Sequence, residues 1–171
     1  MGAVSRKTHG GQGDFDIDLP LSGGTGIECR DYPGANSRRH KIVVTFLVPV
    51  QLTGPTPATL NAPKGGTIDA VSVNNSVVTV DLKDVVNEQT LLLTLKSVFD
   101  GTNTADVNIP IGVLLGDVNG NRLVNSTDTS QTQAQSGRSV DHTNFRIDVN
   151  ANGLINSTDT SIVQSKSGTG L

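Results

Sequence analysis

Aspartates and asparagines fall twice in the same order in the last third of the chain. Residues 117–128 read DVNGNRLVNSTD, and residues 148–159 read DVNANGLINSTD, 31 positions on (148 − 117). In the first copy, Asp117, Asn119, Asn121, Asn125 and Asp128 occupy positions 1, 3, 5, 9 and 12. In the second, Asp148, Asn150, Asn152, Asn156 and Asp159 occupy the same positions. Position 7 is Leu123 or Leu154, which offers only a main-chain carbonyl. A short loop offering oxygen alone suits a hard divalent cation. Calcium takes six to eight oxygens at about 2.3–2.6 Å, and a twelve-residue loop encloses it with side chains from positions 1, 3, 5 and 12, the carbonyl of 7, and often a water held by 9. The spacing therefore predicts two calcium sites.

Position 6 of such a loop turns sharply and suits glycine. Gly153 meets the requirement; the first copy has Arg122 instead. A left-handed turn costs a non-glycine residue on the order of 1 kcal/mol. Position 8 is apolar in both copies, Val124 and Ile155, and we expect the two loops to pair side by side through these residues. Each loop has two aspartates, so its affinity should resemble that of extracellular modules, about 10⁻⁵–10⁻³ M.

The flanks decide what holds the loops. IPIGVLLG, ahead of Asp117, is strand-like and too short for a helix. Polar helices are expected over 128–136 and 159–167, ended by Gly137 and Gly168 at equal register. The unit is thus a loop with an exit helix, written twice.

The paired DVNGN-LVNSTD and DVNANG-LINSTD, preceded by GD and with FRIDVN leading into the second, resemble a type I dockerin over roughly residues 115–171. The resemblance implies two calcium ions, an extracellular bacterial setting and docking to a cohesin domain. The docking positions it implies are Ser126, Thr127, Ser157 and Thr158. The exit helices, TSQTQAQSG and TSIVQSKSG, are more polar than cohesin-binding examples.

Upstream, the texture is that of a β protein. Aromatic residues make up 3% with no Trp, and there are 19 glycines, so the core must be Val, Leu and Ile. DFDIDLPL alternates strictly, with Phe15, Ile17 and Leu19 on one face. KIVVTFLV, TIDAVSVN, VVTVDL, TLLLTLKSV and VNIPIGVLL read as strands, with Asn75 and Ser76 turning a hairpin. Turns recur at roughly ten-residue spacing, as in a β-sandwich. We expect a mainly β fold: an N-terminal tail over 1–14, an immunoglobulin-like β-sandwich over 15–115, and a small dockerin-like module of two calcium loops with short helices over 116–171. The sandwich assignment resembles the immunoglobulin-like domains that precede such tails in large bacterial surface proteins.

Two alternatives remain for Phe15–Leu19: the first strand of its own sandwich, or a donor strand completing the sheet of a second copy in a head-to-tail fibre. A net charge of −3 with no basic face argues against nucleic acid. No apolar run follows MGAVSRKTHGG, so neither a signal peptide nor a membrane span is expected in these residues. Cys29 stands alone and reads as a buried small hydrophobe. His9, His40 and His142 have no zinc spacing and read as surface histidines; Cys29 with His40 lacks the remaining parts of a catalytic set. RRHK at 38–41 reads as a solvated loop, and Asn74, Asn125 and Asn156 each begin an N-x-S/T triplet. Together these features point to a non-catalytic, calcium-stabilised extracellular assembly module. Its partner is a second copy or a cohesin-like domain. The alternative is the C-terminal tether of a larger secreted enzyme.

Overall fold

A computed structural model describes all of residues 1–171. Ten strands come first: β1 (Gly2–Thr8), β2 (Asp14–Asp18), β3 (Gly26–Glu28), β4 (His40–Thr45), β5 (Gln51–Leu52), β6 (Ala58–Asn61), β7 (Thr67–Asn74), β8 (Val77–Lys83), β9 (Gln89–Phe99) and β10 (Thr104–Val113). Two helices follow, α1 (Ser126–Gln135) and α2 (Ser157–Ser165). The strands form two sheets. One runs β2-β1-β4-β8-β7; the other runs β3-β10-β9-β5, with β6 also on β9. All pairings are antiparallel except β3 on β10.

Alternation explains the layering. Along β8 the side chains of Val78, Val80 and Leu82 point inward, and along β9 those of Leu91, Leu93 and Leu95. With Ile42, Val44, Ile109 and Ile111 they form one aliphatic core between the sheets. The β7–β8 hairpin forms where the sequence places it, with Asn75 at φ +56° as its tight turn requires. No helix is long and apolar enough to cross a membrane.

Residues 2–8 are a strand, not a tail. β1 lies between β2 and β4, with Val4 opposite both Asp18 and Val43. Its inward side chains are Ala3, Ser5 and Lys7, followed by His9, and the last three are polar yet buried. They are tolerated because partners wait inside. Ser5 Oγ donates to Glu28 Oε2 (2.5 Å), and Lys7 Nζ donates to the Arg39 carbonyl (2.7 Å). The Arg30 guanidinium donates to both Glu28 oxygens, at 2.8 and 2.9 Å. Opposite charge holds the Glu28 carboxylate well below its usual range despite its burial.

β2 pairs with β1 of its own chain, so Phe15, Ile17 and Leu19 are buried intramolecularly. That is the first of the two alternatives for this segment, and it removes the apolar face that a donor strand would offer. Its outward side chains are Asp14, Asp16 and Asp18, charges that discourage another strand from adding at this sheet edge.

The chain leaves β10 without a linker. Leu114 N donates to Glu28 O, and Gly116 N to Cys29 O, so β3 and the residue after it guide residues 114–116 into the polar third. A second apolar cluster, Ile27, Leu114, Val118, Val124, Val149 and Val163, spans this junction.

Candidate metal centre

Residues 117–128 and 148–159 fold into two closed loops, each ending in a helix. The helices begin two residues earlier than the sequence suggests, because the asparagine at position 9 is the N-cap. Asn125 Oδ1 accepts from Thr127 N and Asn156 Oδ1 from Thr158 N, both at 2.7 Å. Asp128 and Asp159 close each capping box from the third helical position. Position 12 therefore lies in the first helical turn and also faces the loop interior.

Inside each loop the oxygens are oriented by backbone amides. Asp117 Oδ1 accepts from Gly120 N (2.8 Å) and Asn121 N (3.0 Å), and its Oδ2 from Arg122 N (2.8 Å). Asp148 repeats the pattern with Asn152 N (3.1 Å) and Gly153 N (2.8 Å). The amides of Asn119, Asn121, Asn150 and Asn152 each close a local turn on the residue two further on. The turn at position 6 is left-handed in both loops: Gly153 has φ +89°, and Arg122 takes φ +74° despite its side chain. Position 4 is left-handed too, at Gly120 (φ +75°) and Ala151 (φ +53°).

All four aspartates are fully buried, and none pairs with a lysine or arginine. Burial raises the pKa of Asp117, and the facing charge of Asp128 adds to it. Burial likewise raises Asp159, with Asp148 adding. The buried Asp159 Oδ1 has no hydrogen-bond partner. Its counterpart, Asp128 Oδ1, has one long bond, 3.3 Å from Asn119 N. Two buried carboxylates facing each other, with an oxygen left over and amide oxygens beside them, form a donor set for a cation.

The loops do not pair with each other. Each is bridged instead to the segment after the other's helix: Leu123 pairs with Gly170, and Leu154 with Ser139. Gly168 N donates to Val124 O, and Gly137 N to Ile155 O, both at 2.8 Å. The apolar position-8 side chains diverge. Val124 joins the cluster beneath Leu114, while Ile155 packs with Phe15 and Val140.

Residues 115–166 match the family model described as the dockerin type I domain. No curated protein and no solved structure matches the chain. Type I dockerins bind calcium through paired EF-hand-like loops. Dockerin domains bind cohesin protein partners.

Several residues around the loops carry no local sequence signal. His9 and His40 are buried rather than on the surface, and only His142 is exposed. His9 reaches Asp148 across 139 residues. Arg146, just ahead of the second loop, donates to the carbonyls of Val118 (2.8 Å) and Asp117 (3.0 Å) in the first. Cys29 is buried as expected, and burial pushes its thiol up to about 11. Within RRHK, Arg38 and Lys41 are exposed while His40 turns inward.

Proposed function

We propose that the chain is a non-catalytic, calcium-stabilised assembly module that works outside the cell. A two-sheet unit of the immunoglobulin-like class, ending near residue 115, carries a dockerin-type tail over residues 116–171. The tail attaches this unit, and any polypeptide continuous with it, to a cohesin-like partner. The proposed ligands are Asp117, Asn119, Asn121, the Leu123 carbonyl and Asp128 in one loop. Asp148, Asn150, Asn152, the Leu154 carbonyl and Asp159 serve the other. Asn125 and Asn156 each cap a helix and have a second lone pair for a metal-bound water.

The observation that carries this reading is the pair of buried aspartate couples, unpaired with any lysine or arginine, set at equal register in a segment matching the dockerin model. Ser126, Thr127, Ser157 and Thr158 are all exposed at the helix starts and form the partner-facing positions. Moderate calcium affinity suits a calcium-rich exterior. A dockerin at the end of a secreted enzyme remains the nearest variant of this reading, and a catalytic domain encoded in the same polypeptide would distinguish it. The test is titration of the whole chain with a purified type I cohesin, in calcium and in chelator. We expect binding in calcium alone, weakened by joint replacement of Ser126, Thr127, Ser157 and Thr158. Binding that survives chelation would overturn the proposal.

A further inference from the structure

The two loops match in sequence, yet their surroundings differ. The first faces solvent: Asn119, Gly120 and Arg122 are exposed. The second is covered by the turn between β1 and β2: Asn150 is 5% exposed, Ala151 is 4%, and Gly153 is buried. The contact is close enough to require glycine on both sides. A Cβ on Gly10, at φ +51°, would lie 2.2 Å from the Asn152 carbonyl oxygen. A Cβ on Gly153 would lie 2.9 Å from the His9 carbonyl oxygen. Gly10 N also donates to Ala151 O (3.2 Å).

Through this contact the sandwich reaches a metal ligand. His9 Nδ1 is 2.8 Å from Asp148 Oδ2, with both side chains fully buried. Arg30 Nη1 is 2.9 Å from His9 Nε2. A guanidinium only donates, so Nε2 accepts and the ring proton sits on Nδ1, facing the carboxylate. Asp148 Oδ2 then holds two donors, His9 and Gly153, and Oδ1 has one longer bond from Asn152. His9 thereby determines which oxygen is left for the cation. Behind it, Arg30 is held by Glu28 and by the carbonyls of Phe15 and Ser5. Asp117 has backbone amides alone.

We propose that the β1–β2 turn is part of the second calcium site: His9 is a positioning residue that fixes Asp148, making the second loop the tighter site and the joint between sandwich and tail calcium-dependent. This rests on the ligand assignment above. Hydrogen bonds to a metal ligand typically change metal affinity roughly 10- to 100-fold. By linkage, whatever the joint adds to calcium binding, calcium adds to the joint.

The test is a calcium titration of the ¹⁵N-labelled whole chain, with the amides of Asn121 and Asn152 reporting each loop separately. Wild type should fill the second loop first. His9→Ala should weaken that loop roughly 10-fold or more and leave the first within about twofold. His9→Asn, which retains a donor near the Nδ1 position, should recover most of the loss. Gly10→Ala, which drives a methyl against the Asn152 main-chain carbonyl while leaving every ligand side chain and the His9–Asp148 hydrogen bond in place, should again weaken the second loop alone, and it carries the test if His9→Ala does not fold. In wild type, chelator should accelerate hydrogen exchange at Gly10. Equal losses in both loops, no loss in either, or Gly10 exchange indifferent to chelator would overturn the proposal. A chain that binds calcium at neither loop would overturn the ligand assignment instead.

Discussion

Phe15, on the edge strand of the sandwich, stacks on Phe145, just ahead of the second loop at residues 148–159, with ring centroids 5.5 Å apart and planes 11° from parallel. Arg30 lies over the Phe145 ring at 5.2 Å. Val140 and Ile155 complete the cluster. The tail is thus seated on the sandwich by apolar contacts as well as by hydrogen bonds, and each part supplies surface that the other buries.

Phe15→Ala should therefore do more than weaken a core. Loss of a buried phenylalanine side chain costs about 3 kcal/mol, and here most of that loss falls on the junction. We expect wild type to melt in one calorimetric transition with calcium present. The variant should melt in two, the tail first. A single transition merely shifted downward would show that the junction is not what unites the two parts.

Calcium removal should act on the tail before the sandwich. Residues 117–171 bury few large apolar side chains, and four fully buried aspartates lose their counter-charge with the ion. Metal binding is then largely folding energy, worth about 2.7 kcal/mol per site at a hundredfold excess over Kd. Chelation should abolish the helical circular dichroism of α1 and α2 while the β signal persists. Helical signal that survives chelation at 25 °C would count against this.

The repeat was the most legible part of the sequence, since oxygen-bearing residues at fixed positions admit few other chemistries. The β7–β8 hairpin and the long strands β9 and β10 were equally plain, because Val, Leu and Ile are concentrated there between turn residues. β1 was not. Ser5, Lys7 and His9 point inward, reversing the pattern that marks a strand, and only partners far along the chain, Glu28, Arg30, the Arg39 carbonyl and Asp148, make that burial tolerable. His9 next to Asp148 was illegible for the same reason. The expected loop pairing failed because Val124 and Ile155 are alike in sequence but face different neighbours.

Arg122 occupies a left-handed position at φ +74° that glycine fills in the second loop. Its side chain is exposed, so little packing is lost on its removal. Arg122→Gly should relieve about 1 kcal/mol of backbone strain. It also removes a positive charge beside a cation site. Both effects favour tighter calcium binding in the first loop, by roughly five- to tenfold on the strain alone. The calcium titration at Asn121 reads this directly; unchanged or weaker binding there would refute it.

His40 gives the sandwich its own sensitivity to acid, independent of calcium. It sits at the start of β4 with Nδ1 buried and unpartnered. Burial, reinforced by Lys7, pushes its pKa down to about 3. In the unfolded chain the group titrates near 6.5. Below that value the unfolded state binds a proton that the folded state refuses, so the contribution is complete above about pH 6.5 and declines as pH falls toward about 3. Glu28, held below the ordinary carboxylate range by Arg30, acts in the same direction lower in the acid range. Urea midpoints measured in chelator from pH 7 to 4 should fall steadily. His40→Leu removes the titrating group without stranding a hydrogen-bond partner of its Nδ1, and should flatten the slope between pH 6.5 and 5. A variant as acid-sensitive as wild type over that interval would assign the effect to another group.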